Sequence, residues 1–586
     1  MTNSRNVVRE GKASIRLPDG VFYNRVQEFN RDLTIAVIKH YQLLRIKEWL
    51  SKAQVEGPEK SRTYLGLYIL EALAASGIRS IRFALEIPHV AKILANDLDT
   101  NAVELIKENA QLNGVTAYID TSCADAVDVM HEHKIPQNRF TVVDIDPYGT
   151  ASPFLEAAVQ CLHEGGLLCV TSTDMAVLCG STPGTSMGKY GGIAVKNSAT
   201  QETGLRILLN AIQLAASRHG RVIEPLISLS VDFYARVFVR VWSSPGSVKA
   251  IAAKHAICYT CTGCSAYHLQ PLGTATPGPK RIMPACGPPV GTSCAECGSP
   301  FRVWGPLWIG PLHNRSFLRS FLTTLGAPPK LVRPPIASSF PKFSDNSVEF
   351  RDPSQNIYPF GPELSDLLPP EFSFAPNLTS PHSTENISEQ YGTYKRIVGM
   401  ATMAYEELPD VVLYYKVDHL SAVLGTTVPT MLELHSSLLN AGYRASVSHA
   451  DTNTLKTDAP ISLIWDVMIA FDRRQRPMAE KATDRPQRQV IRKEMGDSGE
   501  PNEQIKSPTS KKRRRHRKDG QEEEDAKSQR EIVRAMLFSR QINTKIDFTL
   551  HPDANPPSRV DGLVRYQQKP EKFWGPKARP KILRTD

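Results

Sequence analysis

The first half of this chain predicts an α/β fold built on a parallel sheet, and three observations carry that prediction. Between Leu65 and about Arg240, short apolar runs alternate with helix-period patterns. That is the signature of strands joined by helices that cover both faces of a sheet. Gly77, Asp97, Asp125 and Asp146 follow successive runs in order, and open parallel sheets bind ligands at such strand ends. Near Arg240 two strand-like runs succeed each other without a full helix between them.

LGLYILEAL (65–73) reads as the first strand and SIRFALEI (80–87) as the helix after it. VAKILAND (90–97) is the second strand. TNAVELIKENAQLNG (100–114) is a helix, with Val103, Leu105, Ile106 and Ala110 as its apolar positions. A third strand ends before SCADA (122–126). FTVVDID (140–146) is the fourth strand, SPFLEAAVQCLHEGG (152–166) a helix and GLLCVTSTD (166–174) a fifth strand. VIEPLISLSV (222–231) and ARVFVRVW (235–242) are two further strands, and they suit an antiparallel strand closing the sheet.

The chain has 586 residues, enough for two to four domains. Residues 1–250 form the first domain. Residues 251–326 are rich in Cys, Gly and Pro, and 327–390 form a Pro/Ser-rich linker. Folded character returns over 391–472. There YKRIVGMATMAYEEL and PTMLELHSSLLNAGY read as helices, and RASVSHA and SLIWDVMIAF as strands, giving a small winged-helix-like domain. Residues 473–530 are charged and poor in apolar residues, which predicts disorder. Residues 531–586 are expected to pack back on the fold.

Hydrophobic content of 41% and charged content of 22% are those of a soluble protein, and no run of eighteen apolar residues appears. The N-terminus lacks the apolar core of a secretory signal, although its first residues, poor in acids, allow a short mitochondrial signal. Lys and Arg number 70 against 60 Asp and Glu, a modest bias toward a polyanionic partner. Ten cysteines without a secretory signal point to a reducing compartment, where clustered cysteines bind metal. Two CxxC pairs suit tetrahedral zinc. One is Cys294 and Cys297; the other is Cys261 and Cys264, or Cys258 and Cys261, because CYTCTGC holds three cysteines in phase. KKRRRHRK (511–518) reads as a nuclear import signal or a loose RNA-binding arm.

The loop EALAASGIRS has one glycine, where a dinucleotide pyrophosphate needs several close backbone amides. NAD is therefore disfavoured. S-adenosylmethionine, with a ribose and an adenine but no phosphate, tolerates such a loop. Asp97 would accept hydrogen bonds from the ribose diol, and Asp125 from the adenine amine. DIDPYG (144–149) ends the fourth strand, where the methyl donor should sit. A carboxylate at Asp146 would hold the exocyclic amine of a base, Pro147 fixes the backbone, and Tyr148 would stack on a flipped base. Asp144 is either a partner of Asp146 or an ordinary strand-end acid. Arg31 and Arg79 would each either hold a methionine carboxylate by a forked pair of hydrogen bonds or serve as a surface or structural arginine.

Several stretches together resemble the tRNA guanine-26 N2-dimethyltransferases: VFYNRVQEFNRDL (21–33), EALAASGIRSIRF (71–83), AND (95–97), DIDPYG, TSTDMAVLCG (171–180), KYGG (189–192), RIVGMATMAYEELPDVVLYY (396–415), SHADTNTLKTDAP (448–460) and WGPKARP (574–580). The resemblance implies a class I, Rossmann-like methyltransferase domain with a zinc-binding insert and a smaller tRNA-binding domain. It implies transfer of two methyl groups from S-adenosylmethionine to the N2 amine of guanosine 26. It assigns Arg31, Arg79, Asp97, Asp125 and Ala126 to the cofactor, Asp146 to catalysis, and Phe22 and Tyr148 to the target base. Many members carry phenylalanine where this chain has Tyr148. The family pattern selects Cys261 and Cys264, with Cys294 and Cys297, as the metal ligands. A monomer located in the nucleus, and also in the mitochondrion, is expected. The competing readings are an amino-methyltransferase on adenine or protein glutamine, whose motif carries a second proline that is missing here, and a non-catalytic RNA-binding or chaperone protein on the same fold.

Overall fold

A computed structural model describes residues 7–17, 23–55, 62–275, 282–332, 372–374, 379, 387–482, 528–542 and 545–565. Its centre is a seven-stranded sheet. The strands are β1 (Leu67–Glu71), β2 (Val90–Asp97), β3 (Ile119–Cys123), β4 (Phe140–Ile145), β5 (Leu162–Ser172), β6 (Arg221–Val231) and β7 (Tyr234–Ser243). Their spatial order is β3-β2-β1-β4-β5-β7-β6. β1 to β5 run parallel, and β7 is antiparallel to both of its neighbours. The antiparallel strand is thus inserted between β5 and β6 and does not form the edge. A two-residue turn allows only an antiparallel neighbour, and β6 had already taken the outer position.

Both faces of the sheet are covered, which explains why its strands read as continuous apolar runs. Leu67 and Ile69 of β1 enter one core, and Leu70 enters the other. The first core is closed by α1 (Glu28–Val55), α2 (Ile78–Glu86) and α3 (Thr100–Leu112). The second is closed by α4 (Ala126–Glu132), α5 (Leu155–Cys161) and α6 (Thr200–Arg218). β4 lies beside β1, where the chain direction across the sheet reverses. The crevice outside that point is the expected ligand position.

Three expected elements differ. SPFLEAAVQCLHEGG opens with a 3-10 turn, Ser152–Phe154, and is α-helical only over Leu155–Cys161, and β5 begins at Leu162, paired with Phe140. Gly165, at φ +64°, adjusts the strand where its register against β4 shifts. SLIWDVMIAF is not a strand but the start of a helix, Ile461–Ala482. Leu463, Ile464, Trp465, Val467, Met468 and Ile469 are all buried. A helix buried on every side has the same apolar pattern as a buried strand. Of RASVSHA only Ala445–Ser446 pairs as strand. The helix Met431–Asn440 starts as PTMLELHSS suggests, with Thr430 and Glu433 forming a reciprocal cap.

The cysteine region is built on an antiparallel pair, His255–Cys261 and Phe301–Trp308. It shares a third core with the 391–472 segment and with Val533 and Leu537. Most of 333–386 and all of 483–527, including KKRRRHRK, lie outside the described residues, as does WGPKARP. Within the expected linker, Thr379 exchanges backbone hydrogen bonds with His89 and Val90. Among the described residues, no helix is long and apolar enough to cross a membrane.

Gly77 makes the turn from β1 into α2 at φ +74°, and a Cβ there would meet the Ile106 side chain at 3.1 Å. Gly77→Ala should therefore lower stability by about 1–2 kcal/mol, measured by denaturant unfolding. An unchanged midpoint and slope would contradict this account of the turn.

Candidate active site and metal centre

The strand ends of β1, β2 and β3 are tied together by one buried amide. Asn96 Nδ2 donates to Ala72 O at 3.1 Å and to Ala124 O at 3.0 Å. Asp97 Oδ2 accepts from Ala75 N at 2.8 Å, and its Oδ1 accepts from Asp99 N at 3.1 Å. Asp125 caps α4 by accepting from Val127 N at 2.7 Å, with Ala126 buried behind it. Both acids therefore shape their loops, and a carboxylate oxygen has capacity for a second donor. Asp97, Asp125 and Asp146 lie on the same edge of the sheet, Asp97 as the last residue of its strand and the other two just beyond theirs.

Arg79 stands at the centre of that edge. Its Nη1 donates to Asp144 Oδ2 at 2.5 Å and its Nη2 to Asp146 Oδ2. Arg236 donates to Asp144 Oδ1 at 2.7 Å, to Thr171 Oγ1 at 2.9 Å and to Thr34 Oγ1 at 2.7 Å. Asp144 is thus a supporting partner, which the sequence left open. Burial pushes the Asp144 carboxyl up, but the charges of Arg236 and Arg79 outweigh it and hold the group below its usual range. Asn30 Nδ2 also donates to Asp146 Oδ2, at 3.2 Å. So Asp146 Oδ2 is held by two donors, while Oδ1 has no hydrogen bond among the described residues. The Asp146 side chain is 24% exposed.

Tyr148 follows on an exposed loop, with 54% of its surface open. The loop is pinned by Gly149 N to Thr173 Oγ1 at 2.8 Å and by Thr173 N to Gly149 O at 2.9 Å. Thr150 Oγ1 meets Tyr190 Oη at 2.8 Å, and Tyr190 donates to Asp174 Oδ1 at 2.6 Å. TSTD and KYGG therefore act as supports for DIDPYG. Phe22 lies outside the described residues.

Arg31 is not beside Asp146. Its Nε and Nη2 fork grips Glu10 at 2.6 and 2.5 Å, and Nη2 also reaches Asn24 O at 3.1 Å. Glu10 accepts from Tyr23 Oη at 2.7 Å and from Arg82 Nη1 at 2.8 Å as well. Burial raises the Glu10 carboxyl, yet Arg31 and Arg82 bring it down to about 2. Glu10, Asn30, Thr171 and Arg236 were not singled out from sequence. The available signal was Arg236 itself, an arginine inside the apolar run ARVFVRVW, which needs a buried acid.

Sulfur atoms of Cys261, Cys264, Cys294 and Cys297 all lie within 4.8 Å of one another. Cys261 and Cys297 are 3.4 Å apart, and Cys264 and Cys294 3.7 Å. Tetrahedral thiolates at about 2.3 Å from a zinc ion would be about 3.8 Å apart, so the donor set and its spacing fit such an ion. The amides of Gly263 and Cys264 point at Cys261 Sγ, at 3.4 and 3.5 Å. Cys258 is three positions from Cys261 on one strand, so it faces the opposite side and enters the second sheet core. That excludes it from the cluster. A second group, His313, Glu407 and His449, is also close-set. There Lys456 Nζ already pairs with Glu407 at 3.0 Å and with Glu202 at 3.2 Å, which makes it an ion-paired joint.

Glu71 adds a third carboxyl beside Arg79, at 3.9 Å from Nε. Burial pushes its pKa up to about 8, against the opposing charge of Arg79 and the bonds from Ser80. Near neutrality Arg79 and Arg236 then balance Asp144 and Asp146, with Glu71 protonated. Between about 4.5 and 8 the folded chain holds a proton at Glu71 that the unfolded chain has lost, so this group makes stability fall as pH rises through that window. Glu71→Gln should flatten the decline, read from unfolding at pH 5 and pH 8 in both proteins. Identical pH dependence in variant and parent would refute the assignment.

The family model for N2,N2-dimethylguanosine tRNA methyltransferases matches residues 3–332 and 374–469. The human tRNA (guanine(26)-N(2))-dimethyltransferase is 35% identical over 98% of this chain and 77% of its own length. The Schizosaccharomyces pombe enzyme of that name is 34% identical over 99% of this chain and 93% of its own length. The Saccharomyces cerevisiae relative, named as mitochondrial, is 32% identical over 98% and 92%. Among solved structures, Trm1 from Pyrococcus horikoshii with S-adenosyl-L-methionine superposes with a TM-score of 0.56 at 23% identity, covering 79% of this chain and 99% of that one. That likeness establishes the class of fold. With a family model that spans most of the chain and relatives aligned over nearly all of it, the chain belongs to the N2,N2-dimethylguanosine tRNA methyltransferase family.

Proposed function

We propose that this protein transfers two methyl groups from S-adenosylmethionine to the N2 amine of guanosine 26 in tRNA. The observation that carries the reading is the state of Asp146, anchored at Oδ2 by Arg79 and Asn30 and open at Oδ1 beside exposed Tyr148. The exocyclic amine of guanine is a weak nucleophile, its lone pair delocalised into the ring. Asp146 Oδ1 accepts one N2–H, orients the nitrogen and takes the proton released on alkylation. Arg79 holds the carboxylate in place. Tyr148 stacks on the flipped base, with Phe22 as a second aromatic contact. S-adenosylmethionine, when bound, supplies an electrophilic methyl group on a sulfonium.

The chain's own residues fit that cofactor. Asp97 receives the ribose diol, and Asp125 with Ala126 flanks the adenine. Arg79 and Arg31 bring positive charge toward the methionine carboxylate, and Arg31 Nη1 stays clear of the Glu10 fork. The four-cysteine cluster holds a structural zinc ion, and with four thiolates it has no open position for chemistry. The 391–472 domain and the basic run grip the tRNA backbone. The basic run supports a nuclear location, and the name of the S. cerevisiae relative supports a mitochondrial one.

Labelled methyl transfer to two transcripts that differ only in G or A at position 26 tests the reaction. Dimethylguanosine should form from the G26 transcript alone. Asp146→Ala should reduce kcat by about 10²- to 10⁴-fold, the range of a lost acid–base group; near-normal turnover in a folded variant would remove Asp146 from catalysis. Native mass should give one zinc per chain, lost together with thermal stability in Cys297→Ala. A metal-free parent of equal stability would eliminate the zinc site.

A further inference from the structure

A cavity of about 560 Å³ opens at the outer edge of the sheet, away from the catalytic edge. Its wall includes Glu224 of β6, Trp242 of β7, Lys254, Trp308 and Arg315. Ile145 of β4 pairs with Val170, Val170 with Val237 and Val237 with Ser228. Glu224 lies several residues further back along β6. At about 4.8 Å per strand and about 3.3 Å per residue, Asp146 and Glu224 are on the order of 20 Å apart. The cavity is therefore a separate site.

Its chemistry is specific. Arg315 forms no ion pair among the described residues, and its Nη2 is buried without a hydrogen-bond partner. Asp410, an acid whose charge reaches it, is already gripped by Arg444 Nη2 at 2.6 Å. Burial lowers the Arg315 pKa, the mark of a cation whose charge is poorly compensated. Trp242 is half-buried and held in one orientation. Arg240 covers its ring at 4.3 Å, and its Nε1 donates to Glu224 at 3.2 Å. Glu224 also accepts from Asn314 at 2.8 Å. Lys254 sits over Trp308 at 5.5 Å. Arg315 and Lys254 thus share this wall with Glu224 and the fixed indole of Trp242. The volume is in the range of ligand sites.

We propose that this cavity is a second nucleotide site, which takes one unstacked nucleotide of the tRNA, its base against Trp242 and its phosphate on Arg315. The inference rests on tRNA being the substrate. A polyanion long enough to occupy Asp146 and this cavity together is what such a distant, charge-hungry pocket requires. Base stacking supplies sequence-tolerant affinity, and the phosphate contact supplies salt dependence.

The experiment measures binding of an unmodified G26 transcript to the full-length protein across a salt series, beside its methylation kinetics. Arg315→Ala should weaken binding about tenfold and raise KM alike, with kcat at saturating tRNA within about twofold. The slope of log affinity against log salt should fall by about 0.7–0.9, one phosphate contact. Trp242→Leu should weaken binding with no change in slope, and Arg315→Lys should restore most of the slope. Unchanged affinity in Arg315→Ala, or lost affinity with the parental slope, overturns the proposal. A parent that binds tRNA with these variant effects but transfers no methyl group would retire the proposed reaction and leave this site standing.

Discussion

At the carboxyl end of β1 and β4 the guanidinium of Arg79 lies between two carboxylates, Asp144 and Asp146. Asp144 is fully enclosed, and a charge there is tolerable only because Arg79 and Arg236 meet both of its oxygens. Removing one partner from such a buried pair costs about 3–5 kcal/mol. The arrangement links four elements. Arg79 comes from α2, Asp144 and Asp146 from β4 and its exit, and Arg236 from the antiparallel β7. Arg236 in turn reaches Thr34 on α1. The orientation of the Asp146 carboxylate is therefore a property of the whole sheet and not of the DIDPYG loop alone.

A second charged layer encloses the same site from the N-terminal side. Glu10, on the hairpin formed by Val7–Glu10 and Ala13–Arg16, joins Arg31 on α1 and Arg82 on α2. Arg82 also meets Asp32 at 2.7 Å and Glu86 at 2.7 Å. Asn30 precedes Arg31 on α1 and touches Asp146. One helical turn thus carries a residue for Asp146 and residues for the hairpin. The site is fixed from both sides by ion pairs that are shielded from solvent, where their screening by salt is weak.

The 391–472 segment is joined to the seven-stranded sheet by polar contacts too. Glu407 binds His449 and Lys456, and Lys456 extends to Glu202 on α6. Arg396 pairs with Asp232, in the turn between β6 and β7, at 2.8 Å. The cysteine cluster shares its core with Leu420, Leu434, Trp465 and Val533. A metal at that cluster would order a surface against which the 391–472 segment packs, so metal and domain placement are coupled.

The sequence alone made the parallel sheet, the acids at successive strand ends and the pairing of CxxC units legible. These features rest on local rules: apolar runs of strand length, the turn chemistry of Gly77, and cysteine spacing. It did not determine that SLIWDVMIAF is a helix, because burial on all sides removes the amphipathic period that distinguishes helix from strand. Nor did it give the partners of the arginines. Folding brings Glu10 within reach of Arg31, and Asp144 and Asp146 within reach of Arg79, from 21, 65 and 67 residues away. Which Cys joined Cys261 was settled by the alternation of a strand that sends Cys258 to the other face. Ion pairs and side-chain facing are long-range consequences of packing, so only the tertiary structure decided them.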